Sequence, residues 1–136
     1  MGFLQWRTAR LQWRTANNRA VFDQFQRRYE VYQEFRDIAG MVTSSGRADL
    51  KMIVKAADAA ERARFLFGND VVAYLAQLTN DLRDLRICVS EFEGLQGAER
   101  QNNLEEQRRL KDKIEEFRTK APTVFASYMR FEHKIT

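Results

Sequence analysis

Val71-Val72-Ala73-Tyr74-Leu75-Ala76-Gln77-Leu78-Thr79-Asn80-Asp81-Leu82-Arg83-Asp84-Leu85-Arg86-Ile87-Cys88-Val89-Ser90-Glu91-Phe92 is the stretch that decides the fold. Within it Val71, Leu75, Leu78, Leu82, Leu85, Val89 and Phe92 alternate spacings of four and three. That alternation is the a/d seam of a helix burying one stripe against other helices. A half-buried strand would need a period of two, which is absent here.

Upstream of the seam, Phe65-Leu66-Phe67-Gly68-Asn69-Asp70 has the composition of a tight connection. Gly68 stands where a left-handed residue after a helix is wanted, and Asn69 or Asp70 can cap the helix that follows. The preceding helix is expected over about residues 48–67, with Leu50, Ile53, Val54 and Ala57 on its apolar side. Thr43-Ser44-Ser45-Gly46 reads as a loop. Before it, Phe22, Phe25, Tyr29 and Tyr32 follow at helical spacing, and Phe35 and Ile38 widen the stripe. Gly40 is expected to stop this first helix. No glycine or proline lies between Phe3 and Ala39, so the helix can run on to the N-terminus.

Downstream, Gly94 and Gly97 are expected to close the seam helix, and polar residues 98–103 lead into a charged fourth helix. Its apolar side is read as Leu104, Leu110, Ile114 and Phe117. Proline suits a first helical turn and not a helix interior. Pro122 therefore predicts a break near Ala121 and a short helix packing Val124, Phe125, Tyr128 and Met129. The fold class is all-α: an antiparallel up-and-down four-helix bundle with an extended N-terminal helix and a short C-terminal helix. Residues 1–20 form a basic helical arm and residues 21–136 a single bundle domain.

The 136 residues are 44% hydrophobic and 31% charged, with a formal charge of +4, a composition that can offset the entropy of ordering. The longest run without a formal charge, residues 71–80, is about half what a membrane-spanning helix needs. The first twenty residues, with four arginines, do not form a secretory signal. Cys88 is the only cysteine, which excludes an internal disulfide. Arg7, Arg10, Arg14 and Arg19 stand in an arm without one acid, while residues 21–136 hold equal numbers of basic and acidic groups. Any acidic partner has to be met at the arm.

Chemistry-bearing patterns are sparse. His133 is the only histidine and is preceded three residues earlier by Arg130, so no Glu-x-x-His pair exists for a di-iron site. One Cys and one His cannot supply a zinc ligand set. No glycine-rich turn matches a phosphate-cradling loop. Cys88, between Ile87 and Val89, reads as a small buried thiol. Glu105-Glu106 and Glu115-Glu116 are consecutive and do not face each other on a helix. No catalytic, cofactor-binding or metal-binding residue is assigned.

The arm carries an internal repeat: Leu4-Gln5-Trp6-Arg7-Thr8-Ala9 recurs as Leu11-Gln12-Trp13-Arg14-Thr15-Ala16. Trp6, Arg7, Arg10, Trp13 and Arg14 are the candidate contact residues for a partner or a membrane surface, since indoles settle at headgroups and cations at the cytoplasmic edge. Leu4, Leu11, Asn18, Phe25 and Tyr32 stand seven apart. If that ladder continues the core stripe, Trp6 and Trp13 point away from it and project beyond the bundle. A nucleic-acid-binding arm, with arginines on phosphates and tryptophans on bases, is the alternative. A second alternative is a small-molecule pocket between helices that uses Tyr29, Tyr32, Tyr74 and Tyr128.

Four blocks together resemble a widespread, uncharacterised family of small bacterial proteins with one N-terminal transmembrane helix and a helical cytoplasmic domain. The blocks are Trp6-Arg7-Thr8-Ala9-Arg10, Phe25-Gln26-Arg27-Arg28-Tyr29-Glu30-Val31-Tyr32, Ala63-Arg64-Phe65-Leu66-Phe67-Gly68-Asn69-Asp70 with Tyr74-Leu75, and Phe125-Ala126-Ser127-Tyr128-Met129-Arg130-Phe131. The resemblance implies an anchored parent protein at the cytoplasmic face of the inner membrane, and it assigns no catalytic residue. The transmembrane helix that the resemblance places ahead of Trp6 is not expected in this sequence, since only Met1-Gly2-Phe3-Leu4-Gln5 stand ahead of Trp6. The chain as given is therefore expected to be soluble and cytoplasmic. The combined expectation is a non-enzymatic interaction or oligomerisation domain with a protein partner or its own copy.

Overall fold

The computed structural model describes residues 2–129, with side chains from Thr15 onward. Among these the architecture is all-helical. Five α-helices follow in order: α1 (Gly2–Ser45), α2 (Leu50–Ala63), α3 (Asn69–Glu91), α4 (Gly97–Glu115) and α5 (Phe117–Phe125), with 3-10 turns at Phe92–Gly94 and Ala126–Tyr128. Each of α1 to α4 packs against the next, α4 also packs against α1, and α5 lies against α1, α3 and α4. None of the described helices is long and apolar enough to cross a membrane.

The seam in α3 is buried from Val71 through Leu75, Leu78 and Leu82 to Leu85, while Val89 is only half-buried. In α4 the buried positions are Asn103, Gln107, Leu110 and Ile114, and Phe117 follows in α5. This corrects the expected stripe. Asn103 precedes Leu110 by seven residues and fits a spacing of four and three, whereas Leu104 is one position off and stays exposed. The two amides are satisfied inside the core. Asn103 Nδ2 donates to the Cys88 carbonyl at 3.0 Å, and Gln107 Nε2 donates to Asn103 Oδ1 at 2.6 Å.

Helix α2 also differs from its sequence reading. It buries Ile53, Ala56, Ala59 and Ala63, while Leu50 and Val54 are 56% and 60% exposed. A helix held between two neighbours, here α1 and α3, buries the face whose side chains let both approach closely. Asp49 caps its start, accepting the Met52 N–H at 2.8 Å.

Three expected breaks move. Gly40 lies within α1, and the helix stops at Gly46, whose φ of +72° is left-handed and whose N–H donates to the Val42 carbonyl at 2.7 Å. Helix α4 starts at Gly97, so the polar residues 98–103 are helical. The break assigned to Ala121 falls at Glu116, with Pro122 inside α5. The missing proline N–H then costs one bond in a nine-residue helix instead of kinking α4.

Phe117, just past that joint, is 1% exposed and joins the aromatic core. Its ring centroid lies 5.6 Å from that of Tyr32 and 6.4 Å from those of Phe35, Tyr74 and Phe125. Burial, with the nearby charges of Glu116 and Asp81, pushes the Tyr74 hydroxyl up to about 12.

Helix α1 is far longer than its partners. Its 44 residues span about 66 Å, against about 35 Å for the 23 residues of α3. Among its described side chains α1 buries Val31, Phe35, Ile38, Ala39 and Val42, and residues 15–20 are all exposed. Of the stripe expected from spacing, Phe22 and Tyr29 are exposed and Phe25 is half-buried; on the ladder of sevens Asn18 is exposed, and only Tyr32, half-buried, reaches the core. The side chains of Trp6, Arg7, Arg10, Trp13 and Arg14, and residues 130–136 with His133, lie outside the described residues.

Candidate functional site

Three stretches separated by up to 100 residues meet at the end of the body where α1 leaves it. They are Arg28 of α1, residues 64–70 between α2 and α3, and the Phe125–Tyr128 region that closes α5.

Arg28 organises the meeting. Its Nε donates to the Leu66 carbonyl at 2.8 Å and its Nη1 to the Tyr128 carbonyl at 3.1 Å. The guanidinium carbon also sits 5.9 Å from the Phe67 ring centre and 5.5 Å from that of Tyr128. Phe67 in turn packs edge-on against Phe125 and Tyr128, at 5.1 and 5.3 Å. One planar cation therefore joins three remote segments, which a lysine could not do with the same geometry.

Tyr128 completes the clamp. Its hydroxyl donates to Asp70 Oδ1 at 2.8 Å and accepts the Gly68 N–H at 3.1 Å. The hydrogen bond from Tyr128, helped by the Val71 N–H, holds the Asp70 carboxyl below its ordinary range. The same bond to the carboxylate raises the Tyr128 hydroxyl. Gly68 is not the left-handed residue that the sequence suggested: its φ is −79° and ψ 178°, extended backbone preceding α3. It is glycine because a Cβ there would overlap the Tyr128 hydroxyl. Asp70, read as a helix cap, serves the tyrosine instead. The tyrosine hydroxyl is engaged both as donor and as acceptor, so the cluster works as a clamp holding the α2–α3 connection in place.

What the clamp holds out is Phe65, which is 84% exposed. Phe65 and Leu66 form a shelf beneath the protruding part of α1. Two open depressions of about 510 and 460 Å³ lie there, both lined by Arg27, Phe65 and Leu66. Ala20, Val21, Asp23 and Gln24 border the first, and Glu30 and Arg62 the second. Arg62 is engaged with Glu34 and, at 3.2 Å, with Asp58.

The remaining candidates are placed apart. Tyr32 and Tyr74 belong to the aromatic core, Tyr128 to the clamp, and Tyr29 is exposed. A larger open depression, about 940 Å³, runs over Gly40 and is lined by Tyr32, Phe117 and the cations Arg36, Lys55 and Arg118. It contains one of the four tyrosines. Cys88 is half-buried, and burial with the charges of Glu106, Glu91 and Asp84 pushes its thiol up, away from the reactive thiolate. Among the described residues no group of three His, Cys, Asp or Glu side chains is placed to hold a metal.

Sequence reasoning missed Arg28, Asp70 and Phe65 as a unit. Their spacing along the chain carried no signal. No family model, curated protein or solved structure matches the chain.

Proposed function

We propose that this chain is a non-enzymatic helical interaction domain that takes a protein partner or its own copy through the N-terminal arm of α1. In this reading α1 to α4 form an up-and-down antiparallel four-helix bundle over residues 21–136, and residues 1–20 are the arm. The parent protein sits at the cytoplasmic face of a bacterial inner membrane, as the resemblance implies. The observation that carries the reading is the length of α1: about 66 Å of helix on a body whose next longest helix is about 35 Å. Residues 15–20 of α1 are all exposed, and an exposed helical stretch gains little from tertiary packing, so the protruding part calls for an external surface. The arm's four arginines and paired Leu-Gln-Trp-Arg repeats supply anchor residues of the kind found at interfaces.

The test is a variant carrying Trp6→Ala, Trp13→Ala, Arg7→Ala, Arg10→Ala and Arg14→Ala in the full chain. Light scattering, capture from a bacterial lysate and sedimentation with anionic vesicles should lose signal, while the melting temperature stays nearly unchanged. A large drop in melting temperature would place the tryptophans in a core and sink the reading. Salt-sensitive binding of a single-stranded oligonucleotide, lost in the same variant, would replace a protein partner with nucleic acid.

A further inference from the structure

We propose that the depression over Gly40 is a binding site for a small ligand carrying two or more phosphates. The proposal goes beyond the interaction reading above and does not depend on it. Gly40 is a residue that the fold by itself does not require. It lies inside α1, is exposed, has no left-handed φ, and a Cβ built on it would meet nothing within 4 Å. Neither a turn nor a close approach within the chain calls for glycine there, although glycine weakens a helix interior relative to alanine. What the residue provides is open space on the outer side of α1.

The surroundings give an occupant of that space its charge. Gly40 is nine residues after the buried Val31, about 180° round the helix, and so faces away from the body. Helix α2 flanks α1 on the side of Glu34, which engages Arg62, and α5 on the side of Tyr32, whose ring meets that of Phe117. Lys55 of α2 and Arg118 of α5 therefore border the hollow from opposite flanks, and Arg36 stands about one turn back along α1. Its rim holds one carboxylate, Asp37, which accepts the Gln33 amide at 3.4 Å. Among the described residues none of the three cations has an ion pair, and the Tyr32 hydroxyl has no hydrogen bond.

Three cations against one carboxylate leave two positive charges in excess, which a doubly or triply phosphorylated ligand neutralises. Arginine takes phosphate oxygens in pairs, and lysine meets them as a point charge. Thr43 and Ser44 also border the hollow, but their hydroxyls donate to the Ala39 and Met41 carbonyls. The donors left for the phosphates are the three cations and Tyr32. A volume of about 940 Å³, bounded on both flanks, suits a small anion better than an extended acidic surface.

The experiment is isothermal titration calorimetry of the full chain with sodium tripolyphosphate at constant ionic strength, expected to give a Kd of about 1 mM or tighter. Inorganic phosphate, which reaches fewer of the cations, should bind about tenfold more weakly. Arg36→Gln, Lys55→Gln and Arg118→Gln should each weaken tripolyphosphate by about threefold or more, and Gly40→Leu by about tenfold or more. Gly40→Leu should at the same time raise the melting temperature, because leucine is the better helix former, so lost binding is not lost folding. Arg86→Gln on α3 and the five-substitution arm variant should leave the affinity within about twofold. A Kd above about 10 mM would overturn the proposal, as would undiminished binding in Gly40→Leu. Binding lost in the arm variant would move the phosphates to the arm and refute the hollow. Sedimentation with cardiolipin vesicles that falls in Gly40→Leu, without calorimetric binding of tripolyphosphate, would make the hollow a membrane contact and refute a free ligand.

Discussion

Replacing Phe117 by alanine empties the centre of the aromatic core, and the structure sets the size of the effect. The ring is 1% exposed and touches those of Tyr32, Phe35, Tyr74 and Phe125. Burying a phenylalanine removes roughly 150 Å² from water, worth about 4 kcal/mol at about 25 cal/mol per Å². The cavity left behind keeps the loss within the usual 3–5 kcal/mol for Phe→Ala, roughly, against a total stability of about 5–15 kcal/mol. Urea unfolding followed by circular dichroism measures it, with the slope checked for constancy. Phe65→Ala is the matched control: the same deletion at an exposed site should change stability by less than about 0.5 kcal/mol. A loss below about 1.5 kcal/mol at Phe117, or equal losses at the two sites, would refute the reasoning that α5 closes the core through this ring.

Gly68→Ala should lower the melting temperature in the native background, because its Cβ displaces the Tyr128 hydroxyl, and should raise it in a Tyr128→Phe background. With φ at −79°, alanine is unstrained there and restricts the unfolded chain, a gain of about 0.4–1 kcal/mol. No change of sign in differential scanning calorimetry would rule this out. Asn103→Ala should cost about 1–3 kcal/mol by leaving the Gln107 amide and Cys88 carbonyl short of a partner. Asn103→Leu with Gln107→Leu should cost much less than that single change in the same denaturant assay. Tyr74, raised to about 12 from an unfolded value near 10, stabilises its neutral form in the fold. Stability should then be whole below pH 10 and fall as pH rises toward 12, a slope that Tyr74→Phe reduces in a pH series of melts.

How much could be read in advance depended on how locally the chain encodes it. Helix α3 was legible from Val71 to Leu85 because its apolar residues keep the helical period without interruption. Helix α4 was legible as a helix but not in its face, since two seam positions are the amides Asn103 and Gln107, whose burial depends on each other and on the Cys88 carbonyl. In α2 the small face won over Leu50 and Val54 because two neighbours press on it, a tertiary fact with no local sign. Phe22 and Tyr29 looked like core by spacing, yet they lie on the side of α1 opposite Val31 and Phe35, away from the body. The clamp was least legible, because Arg28, Gly68, Asp70 and Tyr128 are ordinary residues until the fold brings them together. Gly68 was noticed for the wrong reason: the demand on it is a neighbour's hydroxyl and not its own backbone angle.

Arg28 and the Tyr128 carbonyl it holds are 100 residues apart, and this sets a timetable for synthesis. At roughly 5–20 residues per second, about 5–20 s pass between translation of the two. For the later part of that interval, about 3–12 s, the nascent chain displays Phe67 without the edge contacts of Phe125 and Tyr128. Closing so long a loop adds only a logarithmic entropy cost, so the delay, and not the closure, is the vulnerable step. A chaperone that recognises apolar nascent segments has its window there, between the emergence of α3 and that of α5.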